Sequence, residues 1–220
     1  MKAMILAAGE GRRMRPLTLE IPKPLLKVKG TSLIVHHIRR LKNAGVNDLV
    51  INIAYLGEKI RAALGNGEQF GLRIQYSAEP EPLETAGALL HALPLLGDAP
   101  FLLINGDVWT DYPFASLLQR PLNNLGHLVL VPNPAHKFLG DFSVDNDGRL
   151  QELDGETSFT FSGISVLSPK LISTYPQQRA KFPLREIFGW AIRNQQLTAE
   201  VFDGIWCDVG TPERLAELNG

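Results

Sequence analysis

The chain of 220 residues has a single cysteine, Cys207. One thiol excludes an internal disulfide framework and a Cys-rich zinc site, and a free thiol suits a reducing compartment. A surplus of one charge sign is also missing. Lys and Arg number 22 against 23 Asp and Glu, a formal net charge of −1. A nucleic-acid or polyanion binder ordinarily carries a basic excess. Long hydrophobic runs are absent as well. Phe101–Ile104 and Leu128–Val131 are strand-sized, far below the ~20 residues that span a bilayer. Met1-Lys2 leads into Ala3–Ala8, too short for a signal segment with its cleavage site. These absences predict a cytoplasmic protein with neither a membrane nor a nucleic-acid partner.

The five histidines offer no metal constellation. His36 and His37 are adjacent, so on a helix they point about 100° apart. His91 and His127 read as partly buried residues at the core edge, and His136 as a loop residue. No Ser-His-Asp set, Gly-x-Ser-x-Gly elbow or Gly-Lys-Ser/Thr phosphate loop is present. Cys207 reads as a packed small residue rather than a nucleophile.

What is present is 45% hydrophobic residues with 20% charged, enough for one sizeable core in one domain. Ala3–Ala7 reads as a strand apolar on both faces, as in parallel sheets covered by helices. Leu49–Ile53, Leu72–Tyr76 and Phe101–Ile104 repeat that pattern. Helical spacing appears between them, at about 33–44 with Thr31/Ser32 as a cap, at 58–64, and at 86–95. This alternation predicts a doubly wound, mostly parallel α/β sheet of Rossmann-like type. Beyond about residue 112 the pattern turns β-rich. Short strands are predicted at 128–131, 141–144 and 150–153, with hairpin chemistry in Asp145-Asn146-Asp147-Gly148. A longer strand at 159–167 carries a Ser162-Gly163 interruption, read as a possible bulge. Helices follow at about 184–194 and 212–218, the last opened by Thr211-Pro212-Glu213. The chain therefore divides at about residue 112 into a nucleotide-binding half and a β-rich substrate lobe, 113–220.

Four segments carry candidate chemistry. Ala7-Ala8-Gly9-Glu10-Gly11-Arg12-Arg13-Met14-Arg15-Pro16 follows the first strand. Its glycines let main-chain N–H groups approach phosphate oxygens. Arg12, Arg13, Arg15 and Lys23 add four cations, as a triphosphate would need. A dinucleotide fingerprint wants glycine where Met14 stands and an acid where Asn52 stands. Asn105-Gly106-Asp107 ends the fourth strand, and ligands of open α/β sheets bind outside carboxyl strand ends. Asp107 there could hold Mg²⁺ beside phosphate oxygens; a solvated Asn-Gly-Asp turn is the competing reading. Asp98 and Asp111 read as a loop acid and a helix-start acid. Trp206-Cys207-Asp208-Val209-Gly210-Thr211 offers a second carboxylate for the same ion, or an acid capping a turn. Glu79–Gly87 is a small-residue link on which a flat base could lie, with Glu79 and Thr85 reading its edge; the alternative is a helix-capping turn with Thr85 as cap.

Together and in this order these segments resemble the sugar-phosphate nucleotidyltransferase family, over essentially the whole chain. The carrying residues are Leu6-Ala7-Ala8-Gly9-x-Gly11-x-Arg13-Met14-x-Pro16, Pro22-Lys23-Pro24-Leu25, Leu83-x-Thr85-Ala86-Gly87, Asn105-Gly106-Asp107 and Trp206-x-Asp208-x-Gly210-Thr211. The resemblance implies the nucleotide-diphospho-sugar transferase fold. It implies attack of a sugar 1-phosphate on the α-phosphorus of a nucleoside triphosphate, with Mg²⁺ as cofactor and no protein base. Arg13 and Lys23 would hold phosphates over a cradle of Ala7, Ala8, Gly9 and Gly11. Asp107 and Asp208 would hold the metal. Glu79, Thr85 and Gly87 would face the base, and Asn105, Gly140, Asp141 and Glu152 the sugar.

Many relatives carry Glu-Lys-Pro in the sugar lobe; here Gln151-Glu152-Leu153-Asp154 has no such lysine. The compact length, together with Leu83–Gly87, Val108–Asp111 and Thr160–Ser165, looks most like the branch that uridylylates N-acetylmuramate α-1-phosphate in cell-wall recycling. That substrate carries a lactyl carboxylate, for which Lys137, Arg185 or the main chain at Gly140-Asp141 are candidates. Mannose 1-phosphate with GTP, and glucose 1-phosphate with a pyrimidine nucleotide, are the alternatives within the family. A non-catalytic nucleotide-sugar sensor or regulatory subunit is the alternative outside it. The protein is expected to be a monomer or small homo-oligomer that takes a nucleoside triphosphate and a sugar 1-phosphate.

Overall fold

Ala3, Met4 and Ile5 are all fully buried because the first strand, β1 (Lys2–Leu6), is covered on both faces. The computed structural model describes residues 1–153 and 158–220, so Asp154 lies outside the described residues. In chain order the elements are β1, β2 (Lys27–Val28), β3 (Thr31–Ser32), α1 (Leu33–Asn43), β4 (Asp48–Ile53), α2 (Gly57–Leu64), β5 (Arg73–Ala78), α3 (Glu84–Leu96) and β6 (Phe101–Asn105). There follow β7 (Val108–Thr110), α4 (Phe114–Gln119), β8 (Gly126–Val131), β9 (Ser143–Val144), β10 (Leu150–Gln151), β11 (Thr160–Leu167), α5 (Pro169–Ser173), α6 (Leu184–Arg193), β12 (Leu197–Val201), β13 (Trp206–Asp208) and α7 (Pro212–Asn219).

Seven strands form one sheet in the order β12-β8-β11-β6-β1-β4-β5. All neighbours pair in parallel except β11, which is antiparallel to both β6 and β8. This is the mostly parallel α/β architecture expected. The sheet is continuous across residue 112: β8, β11 and β12 extend it from the second half. On one face α3, α5 and α6 cover Met4, Val50, Leu103 and Leu128. On the other α1, α2 and α4 cover Ala3, Ile5, Leu49 and Ile104. Burying each of the larger of these side chains, such as Met4, Ile5 or Leu103, contributes about 1.5–3 kcal/mol. No helix among the described residues is long and apolar enough to cross a membrane.

The hairpin at Asp145–Gly148 forms, with β9 and β10 shorter than expected. Asp145 Oδ1 accepts the Asp147 and Arg149 N–H groups and closes the turn. The register shift between Phe161 and Ile164 in β11 is the bulge expected at Ser162-Gly163. Trp206 Nε1 donates to the Ser162 carbonyl there at 2.9 Å. Ser32 stands at the N-cap of α1 without a side-chain cap bond. Two histidine expectations are corrected. His91 faces solvent on α3. His127 is 1% exposed, because Thr198 Oγ1 meets its Nδ1 at 2.7 Å and Glu200 lies at 3.4 Å from Nε2.

His37 on α1 is fully buried, and its Nε2 has no hydrogen-bond partner among the described residues. Burial pushes the ring down to about 4, against a hydrogen bond with the Val108 backbone that favours the charged form. Unfolded, the ring titrates near its ordinary value of about 6.5. Below that pH the unfolded chain takes up a proton that the folded chain refuses. Stability present above pH 6.5 is therefore lost as the pH falls toward 4. Between pH 7 and pH 5 this single group removes about 2 kcal/mol. Thermal melts at the two pH values should show wild type losing more than His37→Gln; equal losses would place the acid sensitivity elsewhere.

Candidate active site

The carboxyl ends of β1, β4, β5 and β6 open on one edge of the sheet. The chain leaves β1 toward β4 and returns later to β6 on the other side of β1, so a crevice forms where the strand order reverses. A cavity of about 400 Å³ fills that crevice. Ala8, Gly9, Gly11, Arg12 and Arg13 line it from the first loop, with Lys23 from the next turn, Asn52 and Glu79 from β4 and β5, and Asn105 and Asp107 from β6. Gly106 makes the approach possible. A Cβ there would meet the Leu6 carbonyl oxygen at 2.6 Å, and its N–H donates to that oxygen at 2.9 Å.

The four cations separate once their partners are known. Arg12, on the exposed rim of the cavity, is held by Glu10 at 2.6 Å, and Arg15 lies 3.8 Å from the same carboxylate. Arg13 lines the cavity with no acid partner among the described residues. Lys23 lies 2.5 Å from Asp107 Oδ2. Gly11 has φ +62° and its carbonyl accepts the Thr18 hydroxyl at 2.8 Å, which sets the loop's path. Ala7 does not line the cavity; its N–H donates to Asn52 Oδ1 at 2.8 Å.

Asp107 and Asp208 line a second, smaller cavity of about 170 Å³ together with Asn105, His136, Lys137 and Trp206. Asn105 and Asp107 belong to both cavities, so the two meet at these residues. β13 pairs antiparallel with β7, and the Val209 N–H donates to the Asp107 carbonyl at 2.8 Å. The main chains of the two acids therefore run side by side. A separate small cluster of Met14, Leu26, Val28, Leu33 and Val209 is buried between them and the first loop. It ties Arg13, next to Met14, to Asp208, next to Val209.

Each acid already has a cation. Asp208 is gripped by Arg214 of α7 and lies 3.1 Å from His136 Nε2. The Thr211 hydroxyl caps α7 by accepting the Arg214 N–H, which holds that arginine over the acid. Two carboxylates on one small cavity, with room left for phosphate oxygens and water, form a hard oxygen donor set that fits Mg²⁺. No group of three or more candidate ligands occurs among the described residues. Burial and the adjacent Asp208 carboxylate push the Cys207 thiol up, which leaves it a poor nucleophile.

On the base side, Glu79 is buried. Its Oε1 accepts from Asn52 Nδ2 at 2.8 Å and its Oε2 from the Leu83 N–H at 3.0 Å. The carboxylate thus holds its own turn together as well as lining the cavity. Thr85 is not a cap: Leu83 occupies that position, and the Thr85 hydroxyl accepts the Leu184 N–H at 2.7 Å. Gly87 lies outside the cavity. A Cβ on it would stand 2.3 Å from the Ala180 carbonyl oxygen, and its N–H donates to the Phe182 carbonyl at 3.2 Å. Its small size serves the docking of segment 180–184 onto α3.

On the other side of Asp107, Asp141 accepts the Phe161 N–H at 2.9 Å and grips Lys137. Asp141 and Glu152 line a third cavity. Gly140 lines none of the three; with φ +61° it bends against the Phe159 carbonyl. Sequence reasoning passed over Asn52, His136 and Arg214. Asn52 was legible as a polar residue at a carboxyl strand end. Arg214 and His136 carry no local signal, being joined to Asp208 only by the fold.

A model of the nucleotidyl transferase family matches residues 2–220. This chain belongs to that family. As a nucleotidyltransferase it is 45% identical over 223 residues to N-acetylmuramate alpha-1-phosphate uridylyltransferase of Neisseria meningitidis serogroup B, covering 99% of this chain and 96% of the relative. Mannose-1-phosphate guanyltransferase of Saccharomyces cerevisiae is 33% identical over 225 residues, 97% of this chain but 62% of that enzyme's length. Among solved structures, a Bacillus anthracis protein assigned as a glucose-1-phosphate thymidylyltransferase superposes with a TM-score of 0.89 at 24% identity, over 100% of this chain and 94% of that one. HddC from Yersinia pseudotuberculosis, complexed with GMP-PN, gives 0.80 at 23%, over 99% and 97%. These structures share the nucleotide-diphospho-sugar transferase fold with this nucleotidyltransferase.

Proposed function

We propose that this protein transfers the uridylyl group of UTP to N-acetylmuramate α-1-phosphate, giving UDP-N-acetylmuramate and pyrophosphate, in the cytoplasmic recycling of cell-wall sugars. The observation that carries the reading is 45% identity to the Neisseria uridylyltransferase across nearly the full length of both chains. It is supported by two acid-lined cavities that meet at Asn105 and Asp107. On this reading the triphosphate lies in the larger cavity and the sugar phosphate in the smaller. Residues 1–112 then supply most of the nucleotide site, and 113–220 most of the sugar site.

A phosphate oxygen of the sugar 1-phosphate attacks the α-phosphorus, the bond to the bridging oxygen of the β-phosphate breaks, and pyrophosphate leaves with that electron pair. The nucleophile is already an anion, so the protein's work is positioning and charge neutralisation. Arg13 and Lys23 neutralise the triphosphate over the Ala8–Gly11 cradle, which Ala7 anchors through Asn52. Asp107 and Asp208 hold Mg²⁺, which supplies further neutralisation of the phosphate oxygens. Lys23 and Arg214, bound to these acids in the free protein, are released toward phosphate. Glu79 and Thr85 shape the base side through the turn and the helix start they fix.

A pyrophosphate-release screen crossing UTP, GTP, dTTP and CTP with several sugar 1-phosphates tests this. The expected result is kcat/KM at least about tenfold higher for UTP with N-acetylmuramate 1-phosphate than for any other pair, a difference of about 1.4 kcal/mol. Equal or better turnover of glucose 1-phosphate or mannose 1-phosphate would overturn the substrate.

A further inference from the structure

A third cavity, of about 620 Å³, opens beside the sugar side of the site, between the β9–β10 hairpin and the start of α6. Its charged lining is Asp141, Glu152, Arg185, Glu186 and Arg193. Every acid among these already has its own cation. Asp141 is matched by Lys137, Glu152 by Arg193 at 2.9 Å and Glu186 by Arg179 at 2.6 Å. Arg193 is used up in the same way. Arg185, an exposed residue, has no acid partner among the described residues. Arg185 also lies in the first turn of the ten-residue α6, where the helix dipole adds to the attraction for an anion.

The cavity is joined to the reacting groups through one residue. The Asp141 carboxylate that lines it also holds the Phe161 N–H and Lys137, and both of those residues line the cavity of Asp107 and Asp208. We propose that a sugar whose phosphate sits at the two acids turns the far side of its ring to this cavity, and that Arg185 is a specificity-determining residue that binds a carboxylate carried there, the 3-O-lactyl group of an N-acetylmuramate phosphate. This rests on the function proposed above. A guanidinium fork matches a carboxylate with two parallel N–H···O bonds, whereas a neutral hydroxyl in the same place can accept only weaker ones. Lys137, the other cation considered for this role, lines the cavity of Asp107 and Asp208 and not this one.

The test compares N-acetylmuramate 1-phosphate with N-acetylglucosamine 1-phosphate, which lacks only the lactyl ether, at saturating UTP. In Arg185→Met, kcat/KM for the lactyl substrate should fall about 10- to 100-fold, as for loss of a hydrogen-bonded charge pair. The value for N-acetylglucosamine 1-phosphate should change less than about threefold, and Arg185→Lys should recover part of the lost preference. Equal falls for both sugars would make Arg185 a structural residue. An unchanged preference would place the carboxylate elsewhere. Either result overturns the assignment while leaving the proposed function standing. A wild-type enzyme that shows no preference for the lactyl sugar would take both down, and that is visible before any variant is made.

Discussion

Asp107→Asn should lower the rate of pyrophosphate release about 10³-fold, while UTP binding without sugar phosphate weakens less than about tenfold. The substitution keeps the shape of a side chain at the meeting point of two cavities and removes its charge. A carboxamide is a far weaker ligand for a hard divalent ion, and loss of metal-assisted charge neutralisation costs several kcal/mol in the transition state. On the proposed function, ground-state binding is spread over Arg13, Lys23 and the main chain of the first loop, so most of it should survive. Single-turnover pyrophosphate release, set beside equilibrium binding of a fluorescent UTP analogue, separates the two quantities. A variant that keeps more than about a tenth of wild-type turnover would remove Asp107 from the metal.

Lys23→Met is expected to cost about 10²- to 10³-fold in kcat/KM, the range for removing one preorganised donor to developing charge. Lys23 is held between Pro22 and Pro24 in a short 3₁₀ turn, and its side chain is 12% exposed. Its ammonium therefore has few other positions to occupy. In the free protein it meets Asp107 at 2.5 Å. Because the two residues touch, the double variant should lose clearly less than the product of the single losses, as is usual for neighbours in one network. Strict additivity in steady-state kinetics would mean that the pair seen in the free protein has no part in turnover.

The parallel half of the fold was legible because strands covered on both faces leave unbroken apolar runs, as in Ala3–Ala7 and Leu49–Ile53. The hairpin at Asp145–Gly148 and the bulge at Ser162-Gly163 were legible from turn chemistry. β12 was missed. Its Leu197-Thr198-Ala199-Glu200-Val201 carries polar residues that pair inward, with His127 and Tyr112, instead of facing water. In the candidate site, residues at carboxyl strand ends were readable, since that position alone marks them. The partners that hold them were not. Arg214 on Asp208 and Asn52 between Ala7 and Glu79 are products of tertiary closure. Gly87 was misread for the same reason: the group that needs its missing side chain is the Ala180 carbonyl, 93 positions away.

The small cluster of Met14, Leu26, Val28, Leu33 and Val209 dictates when the catalytic crevice can exist. Its last member arrives near the end of the chain. α7 then docks back on the beginning, with Asn219 Oδ1 accepting the Lys29 N–H across 190 positions. The first cationic turn is made long before Val209, the residue that completes its seat. Contacts of such separation form late, because the intervening loop must be closed before they repay its entropy. The strands β1, β4, β5 and β6 are therefore complete long before the cluster that seats the first loop can close.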